Sequence, residues 1–235
     1  IYVAPEVSDI LLRGADRVHS FDTPFFLLRN SGLSFEQRIM KRAMDILTSG
    51  AMLIVASPFM LLTALAIKLE DHGPALFKQE RVTIGGKKFY IYKFRSMYMD
   101  AEERKKELMS QNEMEGLMFK MENDPRVTKV GKFIRKTSID ELPQFWNILK
   151  GEMSLVGTRP PTEDEFLQYE GYHRRRLNMT PGLTGLWQVS GRSDTKNFEE
   201  IVAMDVEYID NWSLKEDIKI LFKTVGVVLK GKGAS

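Results

Sequence analysis

The stretch Arg135-Lys136-Thr137-Ser138-Ile139-Asp140-Glu141-Leu142-Pro143-Gln144-Phe145-Trp146-Asn147 sets two adjacent carboxylates just after a pair of basic side chains. Neighbouring acids can serve phosphoryl chemistry in two ways: one attacks phosphorus as a nucleophile, or the pair holds a divalent metal. They also have a purely structural reading. Ser138-x-x-Glu141 has the spacing of a capping box, and acids in a helix's first turn meet its dipole favourably. Chemistry is favoured by the cations that sit in loop-like contexts elsewhere. These are Lys93-Phe94-Arg95, Arg135, Arg159 within Gly157-Thr158-Arg159-Pro160-Pro161, the run at 174–176, and Arg192 after Gly191. Arginine in a proline-flanked loop suits bidentate capture of phosphate. The run Arg174, Arg175, Arg176 by itself reads as a solvated or lipid-facing patch.

A diphosphate substrate would repel an attacking carboxylate unless a counter-ion sat between them. Mg²⁺, or Mn²⁺, bound by carboxylate and phosphate oxygens would remove that repulsion and polarise the phosphorus. Composition points the same way. The chain has no cysteine and only three histidines, His19, His72 and His173, far apart in sequence. Disulfides, thiolate zinc sites and a cysteine nucleophile are excluded, and any metal falls to carboxylates. A net charge of +2 over 235 residues disfavours a general nucleic-acid binder. The absence of cysteine fits a reducing compartment. Spacing leaves both roles for Asp140 and Glu141 open: covalent attack by one of them, or metal binding while a second substrate attacks directly.

The elements that must position these groups form two parts. Residues 1–30 read as the tail of a preceding α/β domain, with a strand near 1–4, a short helix at 6–14 and a turn at 22–24. Asn30-Ser31-Gly32 reads as a linker. The first residue is Ile1 and not Met, which fits a fragment of a longer protein. The second part, 31–235, opens with a capping box at Ser34-x-x-Gln37. Residues 46–67 follow without a single charge, about the length that spans a bilayer. Pro58 lies mid-segment, however, and basic residues flank both ends: Arg38, Lys41 and Arg42 before it, Lys68, Lys78 and Arg81 after it. Lysine and arginine at both ends favour the same, cytoplasmic side. The segment is therefore expected to enter and turn back as a broken helix bent at Ser57-Pro58. The Ser57 hydroxyl would satisfy a carbonyl that Pro58 leaves without its donor. A Pro-kinked helix in a soluble core is the alternative.

Past residue 73 the pattern turns soluble. Strands at 74–77 and 88–94 should flank a Gly85-Gly86 hairpin turn. Residues 101–123 read as a Met-rich helix whose methionines are core or interface filler. Leu214, Ile218, Leu221, Phe222, Val225 and Leu229 recur at helical spacing. Such a helix either lies on an anionic membrane or covers a core. The fold class is α+β: a mostly helical monotopic membrane domain with a re-entrant broken helix, amphipathic interfacial helices and a small β-hairpin or sheet.

From about residue 41 to 226 the sequence resembles the monotopic polyprenyl-phosphate phosphoglycosyl transferases, the bacterial sugar transferase family. The resemblance rests on an ordered series of motifs. The series begins with Lys41-Arg42-x-Met44-Asp45, Ser57-Pro58, Gly73-Pro74-Ala75-Leu76-Phe77-Lys78-Gln79-Glu80-Arg81-Val82-Thr83 and Lys93-Phe94-Arg95-Ser96-Met97. It continues with Asp140-Glu141-Leu142-Pro143-Gln144, Met153-Ser154-Leu155-Val156-Gly157, Arg159-Pro160, Pro181-Gly182-Leu183-Thr184-Gly185 and Tyr208-x-x-Asn211-Trp212-Ser213.

This resemblance implies a re-entrant helix broken at Ser57-Pro58 and a catalytic, Mg²⁺-dependent Asp140-Glu141 dyad. By the resemblance Asp140 would be the nucleophile that takes a phospho-sugar from a UDP-sugar, with UMP leaving, and undecaprenyl phosphate would then accept it. Glu141 holds the metal or receives a proton. Lys93, Arg95, Arg135 and Arg159 match basic positions near the phosphates, and Gln188 and Arg192 match a donor-binding loop. The place of action is the cytoplasmic face of a bacterial inner membrane, in polysaccharide assembly, with the phospholipid membrane and a homodimer among the partners and no nucleic acid. Two departures stand out: Gly157-Thr158-Arg159-Pro160 where the family usually has proline second, and Leu186-Trp187-Gln188-Val189-Ser190-Gly191-Arg192 in the later loop. The latter resembles larger members that transfer hexose phosphates such as galactose or glucose and carry an N-terminal membrane bundle and α/β domain. The rival from another class is a membrane-anchored lipid-phosphate-binding scaffold or regulator, in which Asp140-Glu141 is only a helix cap.

Overall fold

The computed structural model describes residues 2–3, 16–20, 23–27, 33–101, 103–104, 124–190 and 197–229. Two compact units emerge, Ile1–Gly32 and Leu33–Ser235. In the first, strands β1 (Tyr2–Val3), β2 (Asp16–Ser20) and β3 (Thr23–Leu27) form an antiparallel sheet in the order β1-β3-β2. The turn expected at 22–24 gives way to strand, because Thr23 and Pro24 already pair with Ser20 and His19. β1 reaches only Phe26 and Leu27. Pro24 therefore lies beyond its end, where a missing N–H costs no ladder bond. The helix expected at 6–14 lies outside the described residues.

The second unit opens with α1 (Phe35–Asp71), a helix of 37 residues. Its start is the capping box read from sequence: Ser34 Oγ accepts from the Gln37 N–H, and Gln37 Oε1 accepts from the Ser34 N–H. The helical course continues through Pro58. Proline at 58 cannot donate to the carbonyl of Ile54, and the Ser57 hydroxyl donates to that carbonyl instead, at 2.8 Å.

The burial of α1 is inside out. Its buried positions are Lys41, Asp45, Ser49, Ala56, Thr63 and Ile67, a mostly polar or small stripe. Leu47, Ile54, Leu61 and Leu69 are 74%, 76%, 74% and 71% exposed. Within its most apolar 18-residue window, only 17% is buried. A kinked core helix of a soluble protein would show the reverse, since burial of apolar surface is what would hold it there.

Both ends of α1 grip the same body of protein. Near the start, Arg42 donates to the carbonyls of Ile148 and Leu149. Lys41 reaches the Val156 carbonyl at 2.9 Å and pairs with buried Asp217, and Asp45 accepts from the Ser154 hydroxyl and the Leu155 N–H. At the far end, Glu70 accepts from the N–H groups of Lys129 and Val130.

Strands β4 (Leu76–Val82) and β5 (Lys88–Phe94) form the expected hairpin. The first strand runs longer than 74–77, since pairing continues to Val82↔Lys88. The connecting turn places Gly85 and Gly86 at φ of 69° and 75°, a region that residues with a Cβ rarely enter. Helices α2 (Lys129–Lys136) and α3 (Gln144–Lys150) follow. Then come β6 (Ser154–Val156), α4 (Glu163–Leu167), β7 (Gly182–Thr184), α5 (Leu186–Val189), α6 (Phe198–Asp210) and α7 (Leu214–Leu229). β6 and β7 pair in parallel. The core gathers Phe89 and Ile91 of β5, Phe145 and Ile148 of α3, β6 and the buried faces of α6 and α7. α7 covers the core through Ile220, while Phe222 and Leu229 remain exposed. Residues 105–123 of the expected Met-rich helix lie outside the described residues.

Asn147 joins α3 to the free edge of β5. Its Oδ1 accepts from the Tyr92 N–H at 3.0 Å, and its Nδ2 donates to the Tyr90 carbonyl and to Glu152. The side-chain amide thus does for β5 what a third strand would do, at a site with no solvent exposure. Asn147→Leu is expected to lower stability by about 2–4 kcal/mol, since it strands the strand's polar groups. A thermal melt should then drop by roughly 10 °C.

Candidate active site

Asp140 and Glu141 occupy a 3₁₀ turn, Ile139–Glu141, between α2 and α3. The capping box expected at Ser138 does not form. Ser138 adopts φ 55°, ψ 19°, in the left-handed region, and makes no side-chain cap bond, whereas a capping residue needs an extended backbone. α3 starts only at Gln144, after Pro143, where the absent N–H is one that no helix start would use. With the structural duty removed, the two acids are free to face a site.

Lys93, near the end of β5, donates from Nζ to Glu141 Oε1 at 2.9 Å. Asp140 is half-buried, and burial first and the Glu141 charge second push its carboxyl up to about 6. Lys93 and Arg135 pull it partly back. A carboxyl whose proton affinity is raised by burial and a neighbouring charge, beside a cleft, is an arrangement found at functional sites.

A shallow cleft, open to solvent, is lined by Glu141, the neighbour of Asp140. Its walls include Lys93, Glu141, Arg159 and Gln188, four of the residues picked from sequence. They arrive from four separate segments. The Arg159 loop is set by the β6–β7 pair: Gly182 donates to the Thr158 carbonyl, and Gly157 donates to that of Thr184. A Cβ on Gly182 would lie 2.0 Å from the Gly157 nitrogen, so this approach tolerates only glycine. Arg135, in the last turn of α2, acts on Asp140 through its charge.

Arg95 is placed differently. Its guanidinium is buried, packs against Gly73 and pairs with Asp71 at 3.3 Å, fastening the end of α1 to β5. Arg192 lies outside the described residues. Of the 174–176 run only Arg176 departs from a solvated patch, buried against Asp205; Arg175 is half-buried and pairs with Asp210, and Arg174 is exposed over the Phe166 ring.

The cleft also contains Arg81 and Gln144, which sequence reasoning named as a flanking cation and a motif residue but not as part of the site. A signal existed for Arg81. The hairpin register pairs Arg81 with Phe89 and Phe77 with Lys93, so period-two counting puts Arg81 and Lys93 on one face.

Among the described residues, no group of three or more His, Asp or Glu side chains could hold a metal. The donor set beside the cleft is the adjacent carboxyl pair Asp140 and Glu141, oxygen ligands of the kind Mg²⁺ takes.

Residues 36–231 match the family model described as bacterial sugar transferase. The chain is 54% identical over 200 residues to the galactosyl transferase CpsE of Streptococcus agalactiae, covering 85% of this chain and 44% of that one. It is 44% identical over 240 residues to the undecaprenyl-phosphate galactose phosphotransferase of Salmonella typhimurium, covering 100% and 50%. With the exopolysaccharide production protein ExoY of Rhizobium meliloti it shares 40% identity over 220 residues, covering 92% and 97%. The chain thus spans about half the length of the first two relatives.

Proposed function

The chain belongs to the bacterial sugar transferase family, and from that membership we propose that it moves a hexose-1-phosphate from a UDP-sugar to undecaprenyl phosphate. Relatives named for galactose and glucose transfer support a hexose such as these. The observation that carries the reading is the cleft itself, where Lys93, Arg159 and Gln188 meet Glu141 beside a carboxyl held near neutrality.

In this reading the ionised Asp140 oxygen attacks the donor's β-phosphorus. The bond to the bridging oxygen breaks and UMP departs with the electron pair. A phosphate oxygen of the lipid then attacks the same phosphorus, and Asp140 leaves as a carboxylate. Arg135, Arg159 and Lys93 offset the charge of the phosphates, and Gln188 lines the donor side, with Arg192 as a further contact. Asp140 and Glu141, with donor phosphate oxygens, would hold Mg²⁺, which when bound supplies Lewis-acid polarisation of the diphosphate.

The same reading sets α1 into one leaflet of the cytoplasmic membrane as a re-entrant helix bending at Ser57-Pro58. Its length alone permits a span, since ~1.5 Å per residue carries 22 apolar residues across ~30 Å. Two observations favour re-entry: the lipid-like exposed face, and the contacts of both ends with one body of protein.

The test uses the full chain in lipid nanodiscs with radiolabelled UDP-sugars, undecaprenyl phosphate and Mg²⁺. One donor is expected to pass label into the organic phase with stoichiometric UMP. EDTA should stop this and excess Mg²⁺ restore it. Absence of turnover across the donor panel would overturn the reading.

A further inference from the structure

Arg81 is 6% exposed, yet it is poorly matched by protein acids. A guanidinium has five N–H donors. One terminal nitrogen donates to the Pro160 carbonyl at 3.0 Å and the other to Gln79 Oε1 at 2.7 Å. Its Nε is buried and finds no hydrogen-bond partner among the described residues. The carboxylate paired with it, Glu165, stands 3.8 Å away and is engaged in the cap of α4, where it accepts from the Thr162 N–H. A like charge shares its cleft: Arg159 and Arg81 both line it. Burial and the Arg159 charge lower the Arg81 proton affinity to about 10, so it remains cationic at neutral pH. Two guanidiniums that line one cleft, one of them with donor capacity unspent, repel each other until an anion joins them.

We propose that Arg81 and Arg159 form a two-guanidinium receptor for a phosphate-ester dianion, with Arg81 binding the phosphate directly. The proposal rests on the transferase reading for its two sources of such a group: the nucleotide and the lipid phosphate. The Pro160 contact raises a competing role for Arg81, that of a strut for the Arg159 loop, and the experiment must separate the two.

Binding of UMP, uridine and undecaprenyl phosphate is measured by calorimetry on the full chain in nanodiscs, for the parent, Arg81→Lys and Arg81→Met. The expected result is a loss of UMP affinity of about tenfold or more in Arg81→Met, and a smaller loss in Arg81→Lys, which keeps the charge without the fork. Uridine, lacking the phosphate, should change less than twofold. A loss confined to the lipid phosphate supports the receptor equally and assigns it to the acceptor. The proposal is overturned if neither phosphate ligand weakens more than twofold, or if the parent binds neither. It is also overturned if UMP and uridine weaken alike, or if Arg81→Met costs no further UMP affinity in an Arg159→Met background, the signature of a strut that acts only through Arg159. If Arg81→Met fails to fold, Arg81→Lys decides by the same comparison. A parent that binds UMP but turns over no donor would sink the transferase reading alone.

Discussion

Asp140→Asn is expected to reduce sugar-phosphate transfer by at least about 10³-fold, because the amide has no lone pair basic enough to attack phosphorus. Incubation of the parent with labelled donor and no lipid acceptor should yield a labelled protein adduct, and the variant should yield none. Persistent turnover in a folded variant would remove Asp140 from the nucleophile's role. The same substitution should act on stability with the opposite sign. Burial raises the Asp140 carboxyl from 3.8 to about 6 in the folded chain. Its ionised form is therefore disfavoured by folding, and that penalty sets in as pH climbs from about 4 through 6. Without Mg²⁺, Asp140→Asn should melt a few degrees higher than the parent at pH 7–8, with the gap closing below about pH 4. In the parent, transfer should fall on the acid side as Asp140 takes up its proton. A variant that melts lower than the parent at every pH would show that the carboxylate serves the fold instead.

The second large effect concerns topology. The absence of native cysteine makes single-cysteine labelling clean. In the re-entrant reading, Glu36→Cys and Leu69→Cys are both labelled by a water-soluble maleimide from the cytoplasmic side and neither from outside. Val55→Cys, at a position 67% exposed in the structure, stays unlabelled until detergent is added. Labelling of one helix end from each side would establish a span. Labelling of residue 55 in intact membranes would mean that the helix never enters lipid. The physical case for re-entry lies in the grip at both ends. Arg42 donates to the last carbonyls of α3, and Glu70 accepts from the first N–H groups of α2. A helix crossing the bilayer would have to break one of these sets.

Much of this was legible residue by residue. Where a structural feature depends on neighbours in sequence, spacing is sufficient. Ser34 and Gln37 close the expected capping box, Ser57 takes the carbonyl that Pro58 abandons, and the Gly85-Gly86 turn joins two strands. The capping box at Ser138 failed for a reason outside its four residues. The chain passes from α2 into a 3₁₀ turn through Ser138 in the left-handed region, and α3 begins only at Gln144. The arginine run at 174–176 looked available because its partners, Asp205 and Asp210, lie some thirty residues further on.

The sequence by itself determined the chemical inventory: two adjacent acids, no cysteine, few histidines, cations in glycine- and proline-bounded loops, and a charge-free apolar run. These depend only on residue type and local spacing, which survive any fold. Tertiary structure alone decided which cations face the acids. Lys93 and Arg159 share the cleft with Glu141, Arg95 is spent on Asp71, and Arg81 enters through a hairpin register that no single strand reveals. The charge on a side chain is local, but its availability depends on whether a carboxylate from elsewhere in the chain has been folded against it.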